Sequence, residues 1–489
     1  MSSKIGNLSE LESVLCDIDK TNKGVLHFVS AFKLSRLLGA FNALKSKGIS
    51  VSVLLVSLIF FRLRGGSINS MVQQRFSFLP TVDENTFYRL MNNPWMDWRR
   101  LLLGFAKQFK KHVETKAESC IKFTCFIIDD TDLQKSGKTI EFISRIFNHV
   151  NKTYDLGYKM LLLGWFDGKS IVPTDFSLHR EAGKHGNYGL TDKDRKKQFK
   201  KRRDGKSFSL KRIKELDESK IVNTISMLKR AVRNGFMADY VLMDSWFVND
   251  FIIKGIRRIK NGAMHVLGLC KIDKRKYCSM GKMLNAKQLI IKYERKKGKH
   301  SKKYKSHYIP LVVDYKGETV KLFFIRYNNA KNWTLMLTTD LKLDFTQVID
   351  RYQVRWSVEV LFKECKQYLR LGGSQNTDFD GQIADTTLSL ATYTILTLQK
   401  RFGCYETLGG LFREIQQGLL EMTLWERLLR AFIQMVIHLL DFLSIDIEET
   451  MRKMLKLSYN DTKFTAVISL LEKCSHKPIK TNNLGVVLI

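Results

Sequence analysis

Two short apolar runs constrain this chain more than any other feature. Phe123-Thr-Cys-Phe-Ile-Ile128 stops abruptly at Asp129-Asp130-Thr131, and Tyr240-Val-Leu-Met243 stops at Asp244. Apolar runs without polar alternation read as strands buried on both faces. The carboxyl ends of such strands are where an open α/β sheet gathers its ligands. A helical pattern from about Ser219 to Asn234, closed by Gly235, separates the two runs. Tyr158–Phe166 and Ile171–Leu178 read as two more strands joined by a hairpin at Asp167-Gly168. One strand-end aspartate is common. Two in a helix-separated pair are much less expected by chance.

Further along, Tyr352-Gln-Val-Arg355-Trp-Ser-Val-Glu359-Val-Leu-Phe-Lys363-Glu-Cys-Lys366 has no Gly or Pro until Gly372 and reads as one helix. At about 100° per residue, Tyr352, Arg355, Trp356, Glu359, Lys363, Lys366 and Arg370 share one stripe. Val354, Val358, Leu361, Phe362, Cys365 and Leu369 share a separate apolar stripe. Charge pattern alone gives an ordinary helix with i,i+4 pairs Arg355–Glu359 and Glu359–Lys363.

The spacing Tyr-x2-Arg-x3-Glu-x6-Lys resembles the signature of the IS-four family of bacterial insertion-sequence DDE transposases, and all four positions match. The resemblance covers most of residues 120 to 400 in the order strand-Asp, strand-Asp, β-rich insertion, Glu helix. It implies an α/β fold with an RNase H-like catalytic core, which three sequential strands, the first ending in Asp, also fit. It implies that Asp129, Asp244 and Glu359 are the catalytic, metal-binding carboxylates. Asp129 and Asp130 point to opposite strand faces, and periodicity does not choose between them. The family's Asp-x-Thr/Ser pattern selects Asp129 with Thr131, and Asp130 stands as the alternative. By the same resemblance Tyr352 and Arg355 hold phosphates of the transposon end, Lys363 and Lys366 hold nearby backbone, and Trp333 stacks on a flipped base. Phosphodiester chemistry neutralises charge on attacking and leaving oxygens at once, a task for two divalent ions about 3.5–4 Å apart. Mg²⁺ or Mn²⁺ with hard carboxylate ligands suits it. The implied activity is cut-and-paste transposition: nicking, hairpin formation and strand transfer by a homodimer on double-stranded DNA.

Composition agrees with a polyanionic partner. The 489 residues include 82 Lys and Arg against 48 Asp and Glu, a net charge of +34. Eight scattered cysteines with no CxxC pair suit a reducing cytosol and make a zinc site unlikely on spacing grounds. The start is polar, and the longest apolar run, Ile49 to Phe61, is short for a bilayer and contains Ser50, Ser52 and Ser57. The expectation is a cytoplasmic bacterial protein, nucleoid-associated when bound to DNA, with no membrane partner.

The domain reading is a helical N-terminal DNA-binding region (1–118), the first part of the core (119–250), a β-rich insertion (251–345), the Glu-bearing helix (346–400) and a helical C-terminal region (401–489). In the first region, Ser67–Phe76 and Thr81–Asn92 form a helix pair about the Ser77–Pro80 turn, with a capping box from Thr81 to Glu84 and with Arg89, Arg99 and Arg100 in or just after it. The basic stretch 192–214 reads as a solvated loop. Within the insertion His265–Ile272, Gln288–Tyr293, Tyr308–Tyr315 and Thr319–Tyr327 read as strands. After the core, helices are expected near 381–401, 408–420, 424–445 and 462–474. The competing functions are a metal-dependent nuclease without strand transfer, a non-catalytic DNA-binding derivative of a transposase, and a structural RNA-binding protein.

Overall fold

The apolar run at Cys125 forms the centre of a mixed sheet. The computed structural model describes residues 34–45, 47–74, 82–115, 123–328, 330–402 and 406–417. The chain divides into two units, residues 1–87 with 410–489, and residues 88–409. The C-terminal helices expected from residue 418 onward lie outside the described residues.

In the first unit α1 (Leu34–Gly39), α2 (Val51–Arg64) and α3 (Ile68–Gln74) follow one another. Nearly every side of α2 is buried, as an all-apolar helix requires. The Ser50 hydroxyl caps it by accepting the Val53 N–H, and Gly65 closes it in left-handed backbone. Ser57 is tolerated inside because its hydroxyl donates to the Val53 carbonyl (2.9 Å). Among the described residues no helix is long and apolar enough to cross a membrane. Thr81 and the Ser77–Pro80 turn lie outside the described residues. α4 (Glu84–Met91) is instead seen to be capped by Asp83, whose carboxylate accepts the Asn85 N–H (2.8 Å).

Among the described residues the second unit holds α5 (Trp98–Thr115) and twelve strands of one sheet. They are β1 (Cys125–Gln134), β2 (Ser144–Asn148), β3 (Thr153–Phe166), β4 (Ile171–His179), β5 (Tyr240–Met243), β6 (His265–Cys270), β7 (Lys276–Ser279), β8 (Lys282–Asn285), β9 (Lys299–Ser301), β10 (Ser306–Tyr315), β11 (Glu318–Tyr327) and β12 (Thr334–Thr338). β2 and β4 both pair with β3, and the order then runs β3-β1-β5-β6-β12-β11-β10-β7-β8, with β9 on β10. β3 is antiparallel to both β1 and β4, whereas β5 and β6 run parallel to β1. The parallel strands need crossovers. These contain α6 (Asp192–Lys197), α7 (Phe208–Glu215) and α8 (Lys220–Arg233) before β5, and α9 (Asp250–Arg257) before β6.

Several expectations are corrected. β1 does not end at Asp129: it continues to Gln134 because β3 keeps pairing with it, as far as Gln134 opposite Gly157. Only the parallel neighbour stops, with Ile128 opposite Met243. β6 falls inside the stretch 251–345, yet pairs parallel with β5, and the later strands extend the same sheet. Gln288–Tyr293 belongs to a helix, α10 (Ala286–Lys297), because Asn285 and Gln288 form a capping box and Leu289, Ile290 and Tyr293 share its buried side. The stretch from Tyr352 is two helices, α11 (Phe345–Gln353) and α12 (Trp356–Tyr368), broken at Val354-Arg355. The long α13 (Phe379–Phe402) is buried from Phe379 to Leu398, and its Thr and Ser hydroxyls bond to carbonyls four residues back.

The basic stretch 192–214 is not a solvated loop. Arg203, 2% exposed, donates to Glu141 (2.6 Å) and Asp378 (3.0 Å) and pairs with Asp380 (3.1 Å). Lys201 joins Asp378 (2.7 Å) and Asp380 (2.9 Å). Arg99, one of the arginines noted just after the helix pair, is likewise engaged inside the fold, with Asp175 (3.0 Å) and Glu215 (2.6 Å). The reason is partner chemistry: carboxylates from distant segments neutralise these cations, and sequence order does not reveal them. Arg203→Ala would leave buried Glu141 without its cation, with Asp378 and Asp380 held by Lys201 alone, which costs about 3–5 kcal/mol. Urea unfolding should report a loss of that size, whereas a solvated loop would give a change within about 0.5 kcal/mol.

Candidate active site

Parallel pairing of β1 with β5 sets Ile128 beside Met243. Asp129 and Asp244 are the next residues on the two adjacent strands. Gly268 lies opposite Met243 on β6, and a Cβ there would meet the Met243 carbonyl oxygen at 2.9 Å and Val248 at 2.6 Å. Only glycine allows β6 this close to the end of β5. Asp244 then turns the chain, its Oδ1 accepting the Trp246 N–H (2.8 Å).

The pleat sends Asp129 and Asp130 to opposite faces. On one face Asp129 Oδ2 accepts Arg355 Nη1 (2.9 Å), and Thr131, two residues on, accepts Lys366 Nζ (2.8 Å). On the other face Asp130 pairs with Lys220 at the start of α8. Asp129 is therefore the one that shares a face with α12.

Arg355 is the hub. Its Nη1 engages Asp129, and its Nη2 donates to Glu359 Oε1 (2.5 Å). The Tyr352 ring lies 5.8 Å from the guanidinium, and its hydroxyl reaches the Met243 carbonyl (3.4 Å). Burial pushes the Asp129 carboxyl up to about 7, against the pull of Arg355, with Asp130 and Asp244 adding to the rise. Burial also raises the Tyr352 phenol, and Asp244 and Asp129 near it act in the same direction, so it stays protonated.

The structure thus gathers Asp129, Asp244, Tyr352, Arg355 and Glu359. Lys366 touches the same face through Thr131, while Lys363 is exposed on α12. Trp333 precedes β12, at the same sheet edge but two strands from β5, roughly 10 Å away laterally. It is half-buried, with the Arg326 guanidinium 4.6 Å from its ring centre, and belongs neither to the core nor to the carboxylate group. Asn329 of the preceding loop lies outside the described residues. Sequence reasoning passed over Lys220 and Trp246. The only available signal was that Trp246 follows Asp244 by two residues.

The donor set suits Mg²⁺ or Mn²⁺, because all three carboxylates offer hard oxygens. As the side chains stand, no group of three His, Cys, Asp or Glu among the described residues is arranged to hold a metal. The Arg355 fork fills the space between Asp129 and Glu359, so its cation stands where a metal's charge would act.

Residues 64–261 match the family described as "DDE superfamily endonuclease". Residues 209–383 match the one described as "Archaeal putative transposase ISC1217". Both spans include Asp244; Asp129 falls in the first and Glu359 in the second. Two overlapping stretches of the chain are therefore similar to DDE endonuclease and transposase families. No curated protein matches it.

Asp129 provides a pH test. Its folded-state value near 7 lies above the ordinary 3.8, so the folded chain holds this proton more tightly than the unfolded chain does. Ionisation therefore opposes folding as pH rises from about 4 through about 7. Asp129→Asn should stabilise the protein more at pH 8 than at pH 5, read as urea midpoints. Equal effects at both pH values would mean an ordinary carboxyl.

Proposed function

We propose that this chain is a DNA transposase with an RNase H-like core that performs metal-dependent, cut-and-paste transposition. The observation that carries the reading is the Arg355 fork joining Asp129 to Glu359 beside Asp244. Residues far apart in sequence meet there at the ends of parallel strands. The strand order β4-β3-β1-β5-β6, with only β3 antiparallel to its neighbours, supports the core assignment.

Asp129, Asp244 and Glu359 would hold two Mg²⁺ or Mn²⁺ ions. Bound there, such ions stabilise charge on the attacking and leaving oxygens of an in-line displacement. The protein's own part begins with Arg355. A DNA phosphate offers the guanidinium a bidentate partner, draws it from the carboxylates and leaves both free to ligate. Tyr352, kept protonated, can donate to a phosphate oxygen. Lys363 and Lys366 continue the positive line along α12 and hold the backbone beyond. Water attacks first and frees a 3′-OH. That hydroxyl attacks the opposite strand to give a hairpin, with Trp333 stacking on the flipped base. A second water opens the hairpin, and the 3′-OH then joins target DNA. Holding two ends together calls for a homodimer on double-stranded DNA, in the bacterial cytoplasm and its nucleoid.

Glu359→Gln keeps the side chain's size and hydrogen bonding but removes the ligating charge. Nicking of end-bearing DNA in Mg²⁺ should fall by more than the roughly 10–100-fold that loss of a supporting contact costs. End binding, followed by gel shift, should persist. Normal nicking by this variant would sink the proposal. Nicked but never joined products from the unsubstituted protein would favour a nuclease without strand transfer.

A further inference from the structure

We propose that a strip of exposed aromatic rings and cations, running from the end of β5 along α8 and α9, binds single-stranded DNA. It lies on the Asp130 side of the sheet, the face opposite α12. The strip starts at Trp246, two residues beyond Asp244 and 49% exposed. Its indole is held in place rather than loose. The backbone N–H is fixed by Asp244, the ring packs edge-on against buried Phe247 (4.8 Å), and Lys220 Nζ lies 5.1 Å from its centre.

The strip continues into a groove of about 640 Å³ between α8 and α9. Gly255 makes the groove narrow at its base, since a Cβ there would meet Ile225 at 2.7 Å. Ile225, Val232 and Ile259 give it an apolar floor, and Phe251, 55% exposed, presents a second aromatic face. Lys229, Arg233, Lys254 and Arg258 line its length. The single carboxylate in the lining, Asp250, is already paired with Lys316 (3.1 Å). From Lys220 to Arg233 the path along α8 is about 20 Å, at roughly 1.5 Å per residue.

The combination selects the ligand. Duplex phosphates need only cations, because paired bases are stacked on one another and offer no free face. Exposed rings interleaved with cations suit unpaired bases, whose faces stack on the aromatics while the backbone follows the positive charge. The strip begins beside the candidate carboxylates, so its natural occupant is the strand that leaves them unpaired. That biological use rests on the transposase reading, whereas the binding itself does not.

The test uses the full-length protein in metal-free buffer, so that nothing is cut. Fluorescence anisotropy compares a labelled oligothymidylate with a duplex of the same length. Phe251→Ala and Trp246→Ala should each lower the ratio of single-strand to duplex affinity about tenfold, as loss of a base–aromatic stack does. Phe251→Tyr and Trp246→Phe, which keep a ring, should restore most of it and guard against misfolding. The double variant Lys254→Glu with Arg258→Glu should weaken single-strand binding and flatten its salt dependence by about 0.7 per lost contact. An unchanged ratio in both alanine variants, or a protein that binds duplex but not the single strand, overturns the proposal. No cleavage enters the measurement, so failure of the catalytic reading with Glu359→Gln would be seen separately.

Discussion

The parallel pairing of β1 with β5 is the constraint on which the rest of the structure depends. It places two aspartates on neighbouring strands at a buried edge, where like charges repel and solvation is poor. A fold with this edge must supply positive charge from elsewhere, and Arg355 does so from a helix more than two hundred residues away in sequence. Around the pair, β1 is kept extended by β3 beyond the point where β5 turns away, and Gly268 lets β6 close against Met243.

Arg355 sits at the step between two helices. The Asp344–Gln347 capping box sets the start of α11, and the break at Val354-Arg355 separates it from α12. Val354 and Arg355 keep right-handed helical backbone, so Tyr352, Arg355 and Glu359 stay along one stripe. From that stripe Tyr352 reaches the carbonyl at the end of β5 while Arg355 forks between Asp129 and Glu359. A guanidinium so held is both a structural clamp and a charge that a phosphate can compete for.

The Lys and Arg of the described residues fall into two populations with different tasks. Arg99, Lys201, Arg203 and Arg212 lie inside the fold, paired with Asp175, Glu215, Glu141, Asp378 and Asp380. They fasten the basic stretch 192–214 and α5 to the sheet and to the start of α13. Others, such as Lys363 on α12 and Lys229 and Arg258 along the α8–α9 groove, face outward and are free to meet a polyanion. The buried cations and carboxylates cancel in the +34 net charge, whereas the count of 82 Lys and Arg includes both populations and overstates the nucleic-acid-facing surface.

What the sequence by itself determined is local. The strands at Cys125 and Tyr240 were legible because fully buried strands need unbroken apolar runs, and α8 because Ser219 caps it and Gly235 stops it. The Gln288–Tyr293 segment was misread because six apolar and polar residues suit either period, and the deciding cap lies outside the run at Asn285. The 352–370 stretch kept its helical period through the break, since a two-residue interruption leaves the side-chain pattern nearly unchanged. Only the tertiary structure decided which aspartate faces α12, where Arg355 lodges, which cations are buried, and that Phe251 opens onto the α8–α9 groove. Each of these is a meeting of side chains from distant segments. Local propensity records what a residue prefers for its own backbone, whereas the partner that neutralises or stacks on it is fixed only when the sheet closes.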